Sequence, residues 1–218
     1  MNGILLINKP KGPSSFSYMK RVQKKLGIPK VGHLGTLDPA AGGLLVLLCG
    51  SATKLNQSLS HKTKVYQSIF TFGVETDTLD MEGKEVATSD VIPSLGQVKE
   101  KLDVMVGAVE IQVPHYSAVH IDGERAYDLA RRGIDFIPPT KRVEIMRFEL
   151  LGQVSDREFK FEIECQTGTY VRSLAKLLAQ KLGTVAIASE ITRTKVGEFC
   201  IEHAKTVEDV SITDIMLL

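Results

Sequence analysis

Residues 143–153 and 158–167 alternate apolar and polar side chains at a period of two, on either side of the turn signal Ser155-Asp156. Only extended chain with one buried face satisfies that period, and a short turn between two such stretches makes them antiparallel neighbours. The rest of the chain alternates strands with helices and has no linker, internal repeat or low-complexity break. Strands are predicted at 3–8, 44–49, 64–74, 109–113, 116–121, 186–192 and 196–201. Helices are predicted from Ser14 or Ser15 to about Leu26, near 52–59, over 94–106, over 125–132 and over 170–182, with Gly27, Gly133 and Gly183 as terminators. Residues 28–43 read as a Gly- and Pro-rich loop. Hairpin-linked strands interrupted by helices predict an α+β fold: a mixed, largely antiparallel central sheet flanked by helices.

Charge is unevenly distributed. Residues 1–64 hold ten Lys or Arg against a single acid, Asp38, which is also the only acidic residue among the first 74. The remaining residues are net acidic, so a formal charge of +1 for the whole chain conceals a strong asymmetry. A segment this basic draws polyanions by counterion release, which makes nucleic acid the first partner to consider. Lys20, Arg21, Lys24 and Lys25 have the spacing of one exposed helix face, so a merely solvated face is the competing reading.

Several function classes fall away. The longest apolar run, 44–49, is strand length, so no membrane span is expected. The start MNGILLINKPKG lacks the basic and apolar regions of a signal peptide, so a cytoplasmic protein is expected. Cys49, Cys165 and Cys200 form neither a disulfide set nor a CxxC spacing and read as small buried hydrophobes. His115 and His120 flank a strand with no third ligand spaced to complete a metal site.

Asp38 precedes Pro39, which biases it toward extended backbone, and lies between Gly35 and Gly42-Gly43, which permit tight turns. Such a loop can present one carboxylate into a cleft. A carboxylate among cations stays ionised, which suits a nucleophile and not a general acid. Arg172, in GTYVRSLA at the first turn of a helix, is the expected organiser through a bidentate pair with Asp38. His33 and Tyr66 offer flat rings for an extruded base. Taken singly, each has a plainer role: Asp38 as a turn former, Arg172 on a helix surface, Tyr66 in a strand core, His33 as a loop hydrogen-bonder.

Five ordered strings weigh against four coincidences: GILLINKPKGPSS, GHLGTLDPAAGGLLVLLCGSATK, KVYQSIFTFGVETDTLDMEG, VPHYSAVHIDGERAYDLARRG and GTYVRSLAKLLAQKLG. In that order they resemble the blocks of the TruB family of tRNA pseudouridine synthases, over roughly residues 3–200. The resemblance implies isomerisation of uridine 55 in the tRNA T-loop to pseudouridine, without cofactor or metal. It implies Asp38 as the catalytic aspartate, Tyr66 as the tyrosine packed on the target base, and Arg172 as the arginine paired with the aspartate. His33 would help hold the opened T-loop, and Lys9 with Pro10 would support the active-site loop. With His33, the cations Lys9, Lys20, Arg21 and Lys64 make up the expected RNA-binding set.

Leu34 stands where the family commonly has Thr, and His120 where Lys is expected. Residues 1–202 are expected to form the catalytic domain and 203–218 a short tail in place of the family's C-terminal RNA-binding extension. A monomer acting on tRNA and on no membrane is expected, with a non-catalytic tRNA-binding or folding module on the same fold as the alternative. The acids Glu75, Asp77 and Asp80 read as turn caps, not as a glycosidase pair.

Overall fold

The computed structural model describes residues 2–217; Met1 and Leu218, the outer bounds of the two expected domains, lie outside the described residues. In chain order, β1 (Gly3–Lys9) leads into α1 (Ser15–Leu26), then β2 (Val31–Leu34) and β3 (Ala41–Cys49). A 3₁₀ turn and α2 (Asn56–Leu59) precede β4 (Lys64–Phe72), β5 (Val74–Thr76) and β6 (Glu85–Thr88). There follow α3 (Leu95–Leu102), β7 (Gly107–Gln112), β8 (His120–Ile121), β9 (Glu124–Arg125) and α4 (Ala126–Arg131). The chain closes with β10 (Thr140–Gln153), β11 (Glu158–Cys165), α5 (Val171–Lys181), β12 (Ala186–Val196), β13 (Phe199–Cys200) and β14 (Met216–Leu217).

The described chain forms two compact units. Among the described residues the first comprises 2–67, 164–167 and 191–217; the second comprises 68–163 and 168–190. Strands β4, β11 and β12 contribute residues to both.

In the first unit β3 is central. Strand β1 runs antiparallel along one edge from Lys9↔Gly43 to Gly3↔Cys49. The other edge is shared: β2 pairs with Val46–Cys49, and β12 lies parallel to Ala41–Gly43. All nine residues of β3 are buried, which explains why AGGLLVLLC is continuously apolar instead of alternating. Leu5, Ile7, Leu45 and Leu47 face α1, which contributes Tyr18, Met19 and Val22. That helix is capped by Ser14, whose hydroxyl accepts from Ser17 N, and ends at Gly27 in left-handed conformation (φ 63°). The C-terminal residues are part of this core: Val207, Val210 and Ile215 are buried in it, and β14 pairs antiparallel with β1.

In the second unit the neighbour order is β4–β11–β10–β7. Phe70, Phe148 and Phe161 interlock, with Phe70 and Phe161 4.7 Å apart. The alternating burial of β11 fits the predicted period of two. The α+β class with a mixed, mostly antiparallel sheet therefore holds, β3–β12 being a parallel pair.

Local differences have local causes. Residues 28–43 are not all loop, because β2 and the start of β3 find partners there. The strand expected at 116–121 shrinks to His120–Ile121, paired across Asp122-Gly123 with Glu124–Arg125. The strand expected at 196–201 is instead the end of β12 and a short return, turned at Gly197 (φ 55°).

Candidate active site

The loop from Leu34 to Ala41 carries Asp38, half-buried, between β2 and β3. Leu37 is buried beside it and is held at both ends by Ser15 at the start of α1: its N–H donates to Ser15 Oγ (2.8 Å) and its carbonyl accepts from that hydroxyl (2.7 Å). Gly12 N donates to Pro39 O at 2.8 Å, and Ala41 N to Asp38 O at 3.1 Å. Backbone on either side of the carboxylate is thus tied down, and a fixed loop holds a charge in place without reorganisation.

Beneath the loop lies Arg193, wholly buried. Its guanidinium donates to the carbonyls of Leu44 (2.9 Å), Gly35 (3.1 Å) and Thr36 (3.4 Å) and hydrogen-bonds Tyr66. One planar fork therefore binds the start of the Asp38 loop, the β3 strand that follows it and the tyrosine of β4. Sequence reasoning missed it. The available signal was period: Ile191 and Arg193 share the buried face of β12, where an arginine needs a reason. Gly43 makes the arrangement fit, because a Cβ there would meet Arg193 O at 2.3 Å.

Three expected residues gather around this arginine. Tyr66 is buried, and burial foremost, helped by Cys165 and Asp38, raises its phenol pKa against the opposing pull of Arg193. The ring is therefore a neutral wall at neutral pH. Lys64 is buried with its ammonium on Thr167 Oγ1 (2.7 Å) and Lys62 O (3.2 Å). Burial, reinforced by Arg193, lowers its pKa to about 8. His33, on β2, is held toward the neutral imidazole by burial and by Arg193, and its Nδ1 has no hydrogen-bond partner.

Lys9 is fully buried at the end of β1, with Nζ on the carbonyls of Pro10 and Pro13, both at 2.9 Å. These bonds brace the turn leading to α1, and the buried ammonium does not lie on a surface for RNA. Lys20 and Arg21 lie exposed on α1. Lys20 sits over the Phe16 ring at 5.5 Å, and Arg21 pairs with Glu208 at 3.3 Å.

Arg172 belongs to the second unit. It is not a surface helix residue: its side chain is buried, donating to Thr78 O (2.6 Å) and Tyr116 O (3.0 Å), with Asp80 Oδ2 at 3.7 Å. Asp80 and Asp77 close their turns as expected, accepting from Glu82 N (3.0 Å) and Lys84 N (2.8 Å). Among the described residues no group of three or more His, Cys, Asp or Glu could hold a metal ion, and no helix is long and apolar enough to cross a membrane.

A model of the TruB family pseudouridylate synthase N-terminal domain matches residues 23–171. The chain belongs to the TruB family. That match takes in His33, Asp38, Lys64 and Tyr66 and stops one residue short of Arg172. TruB-family relatives extend the likeness to both ends. The tRNA pseudouridine synthase B of Caldicellulosiruptor saccharolyticus is 41% identical over 218 residues, all of this chain and 75% of its own. That of Geobacillus kaustophilus is 39% identical over 217 residues, 96% of this chain and 76% of its own. Among solved structures, a Cbf5–Nop10–Gar1 complex matches with a TM-score of 0.72 at 25% identity, over 95% of this chain. This chain spans 53% of that solved chain.

Proposed function

We propose that this TruB-family chain isomerises uridine to pseudouridine in tRNA, at position 55 of the T-loop. The observation that carries the reading is Asp38: the lone acid of a basic segment, on a loop pinned by Ser15 and Arg193, with Tyr66 bound to the same guanidinium.

The reaction breaks the C1′–N1 glycosidic bond, turns the uracil in place and rejoins C1′ to C5. N1 ends with a proton, C5 loses one, and the overall composition is unchanged. A fixed carboxylate serves this chemistry in either of two ways: attack at C1′, or stabilisation of the positive charge that develops there as N1 departs. The neutral Tyr66 ring offers an apolar face for the base, and the chemistry requires that the detached uracil be kept from escaping. Arg172 is the proposed partner that orients the Asp38 carboxylate. Its guanidinium, anchored on the Thr78 and Tyr116 carbonyls, suits such a role, and non-additivity between Asp38→Asn and Arg172→Lys would test it. His33, with the exposed cations of α1, is proposed to hold the RNA. A cytoplasmic monomer belongs to the same proposal, tested by fractionation and light scattering.

The deciding experiment is tritium release from C5-labelled uridine in an unmodified tRNA transcript. Wild type is expected to release tritium, Asp38→Asn to release none, and a transcript lacking uridine 55 to remain labelled. Tight tRNA binding without release would establish the binding-module reading instead. Release from the altered transcript would overturn the site assignment.

A further inference from the structure

The second unit contains a cavity of about 330 Å³ that the proposed chemistry does not use. Leu79, Val86, Val113, Pro114 and Ile134 supply apolar walls, and His115 and Tyr116 flat rings. The polar groups are unbalanced: Glu75, Asp77 and Asp135 line it against a single ammonium, Lys176. Lys176 is already engaged by Glu75 at 2.7 Å, and the ring of His115 packs at a tilt of 53° against Phe136, 5.1 Å between centroids. The excess charge facing the cavity is therefore that of Asp77 and Asp135.

Its size is at the lower end of small-molecule pockets, and its apolar walls with few polar groups match their usual make-up. Its sign is wrong for RNA: a phosphate entering would meet the carboxylates of Asp77 and Asp135, while the one lining ammonium is already paired with Glu75. We propose that this cavity is a second binding site, which takes a small amphipathic cation, an apolar or aromatic body carrying one ammonium or amidinium group. The body fills the space between Leu79, Val113 and Ile134, and the cation lies toward Asp77 and Asp135.

Occupancy reaches Arg172 through its acceptors. The Tyr116 carbonyl that binds Arg172 belongs to a cavity-lining residue, and the Thr78 carbonyl lies between two others, Asp77 and Leu79. A ligand that shifts either segment moves the guanidinium. This regulatory arm rests on the function proposed above; the binding arm does not.

The test uses benzamidine as the cationic probe and benzoate as its anionic counterpart of the same shape, followed by amide chemical-shift changes in the intact protein. Benzamidine is expected to shift residues around Leu79, Val113 and Ile134 saturably, and benzoate to leave them unmoved. Ala130→Phe, which fills the cavity, is expected to abolish the response. Asp135→Asn, at an exposed position that leaves the fold intact, is expected to weaken affinity several-fold. Equal binding of benzoate, or no saturable shift with benzamidine in wild type or Asp135→Asn, would overturn the site. Slower tritium release on benzamidine addition, absent in Ala130→Phe, would support the regulatory arm. Unchanged release at saturating benzamidine would remove that arm and leave the binding site standing.

Discussion

Arg193 and Tyr66 share a hydrogen bond inside the first unit, and the same guanidinium holds the start of the loop that carries Asp38 and the strand that follows it. Removing the fork while keeping the charge separates geometry from electrostatics. Arg193→Lys is expected to lower kcat for tritium release at least tenfold with little change in KM, because a point cation cannot serve carbonyls on two sides of a loop. Arg193→Met should cost about 3 kcal/mol or more in chemical denaturation, since several buried acceptors lose their donor together. An unchanged kcat in Arg193→Lys would show that the loop keeps its place without the fork.

Ser15 acts on the same loop from α1. Its hydroxyl both donates to and accepts from Leu37, so Ser15→Ala leaves a buried N–H and a buried carbonyl without that partner. A loss of about 1–3 kcal/mol in urea unfolding is expected, together with a fall in kcat that Ser15→Thr partly restores. Equal stability of wild type and Ser15→Ala would mean that the backbone alone sets the loop.

Gly43 tests the close approach of β3 and β12. A Cβ there would lie 2.3 Å from Arg193 O, and the φ of 100° already disfavours an L side chain. Gly43→Ala is therefore expected to give little soluble protein or a large drop in Tm, whereas Gly96→Ala, at a helical position with open space, should not.

Lys64 predicts a pH dependence. Its folded pKa, about 8, lies below the ordinary value of 10.5, so between those values the unfolded chain binds the proton that the folded chain has released. Stability contributed by this residue consequently rises with pH across that window, and the full cost of burying the ammonium is present below about pH 8. Urea midpoints for wild type minus Lys64→Met should climb from pH 8 toward 10.5; a flat difference would show the ammonium to be well solvated in the fold.

RNA affinity should depend steeply on salt, and the cations of α1 should not count equally. Lys20, Arg21, Lys24 and Lys25 are all exposed, but Arg21 is paired with the Glu208 carboxylate and Lys25 is bound to the carbonyls of Val207 and Glu208, whereas Lys20 meets only the neutral Gln23 (2.9 Å) and the Phe16 ring. Lys20→Ala and Lys24→Ala should each reduce the log–log salt slope of tRNA binding by about 1, and Arg21→Ala by less. A slope unchanged by all three would place the RNA elsewhere.

Local patterns were readable directly. The alternation that predicts strands at 143–153 and 158–167 meets β10 at Thr140–Gln153 and β11 at Glu158–Cys165, because period two is imposed by one buried face and needs no knowledge of the partner. The cap at Ser14 and the stop at Gly27 were equally legible, since each satisfies backbone groups within a few residues. Asp38 stood out by charge alone, as the single acid in a basic segment.

What the sequence by itself determined was therefore the α+β class, the order of its elements, the family blocks and the position of the lone acid on which the proposed chemistry centres, each written in local periods or composition. Tertiary structure decided the rest. Only the parallel pairing of Ile191–Arg193 with Ala41–Gly43, some 150 residues apart, sets a buried arginine under the Asp38 loop. Only packing against β1 and α1 draws Val207, Val210 and Ile215 into the core. These placements depend on burying apolar surface and pairing polar groups between distant segments, and no short window of sequence records that balance.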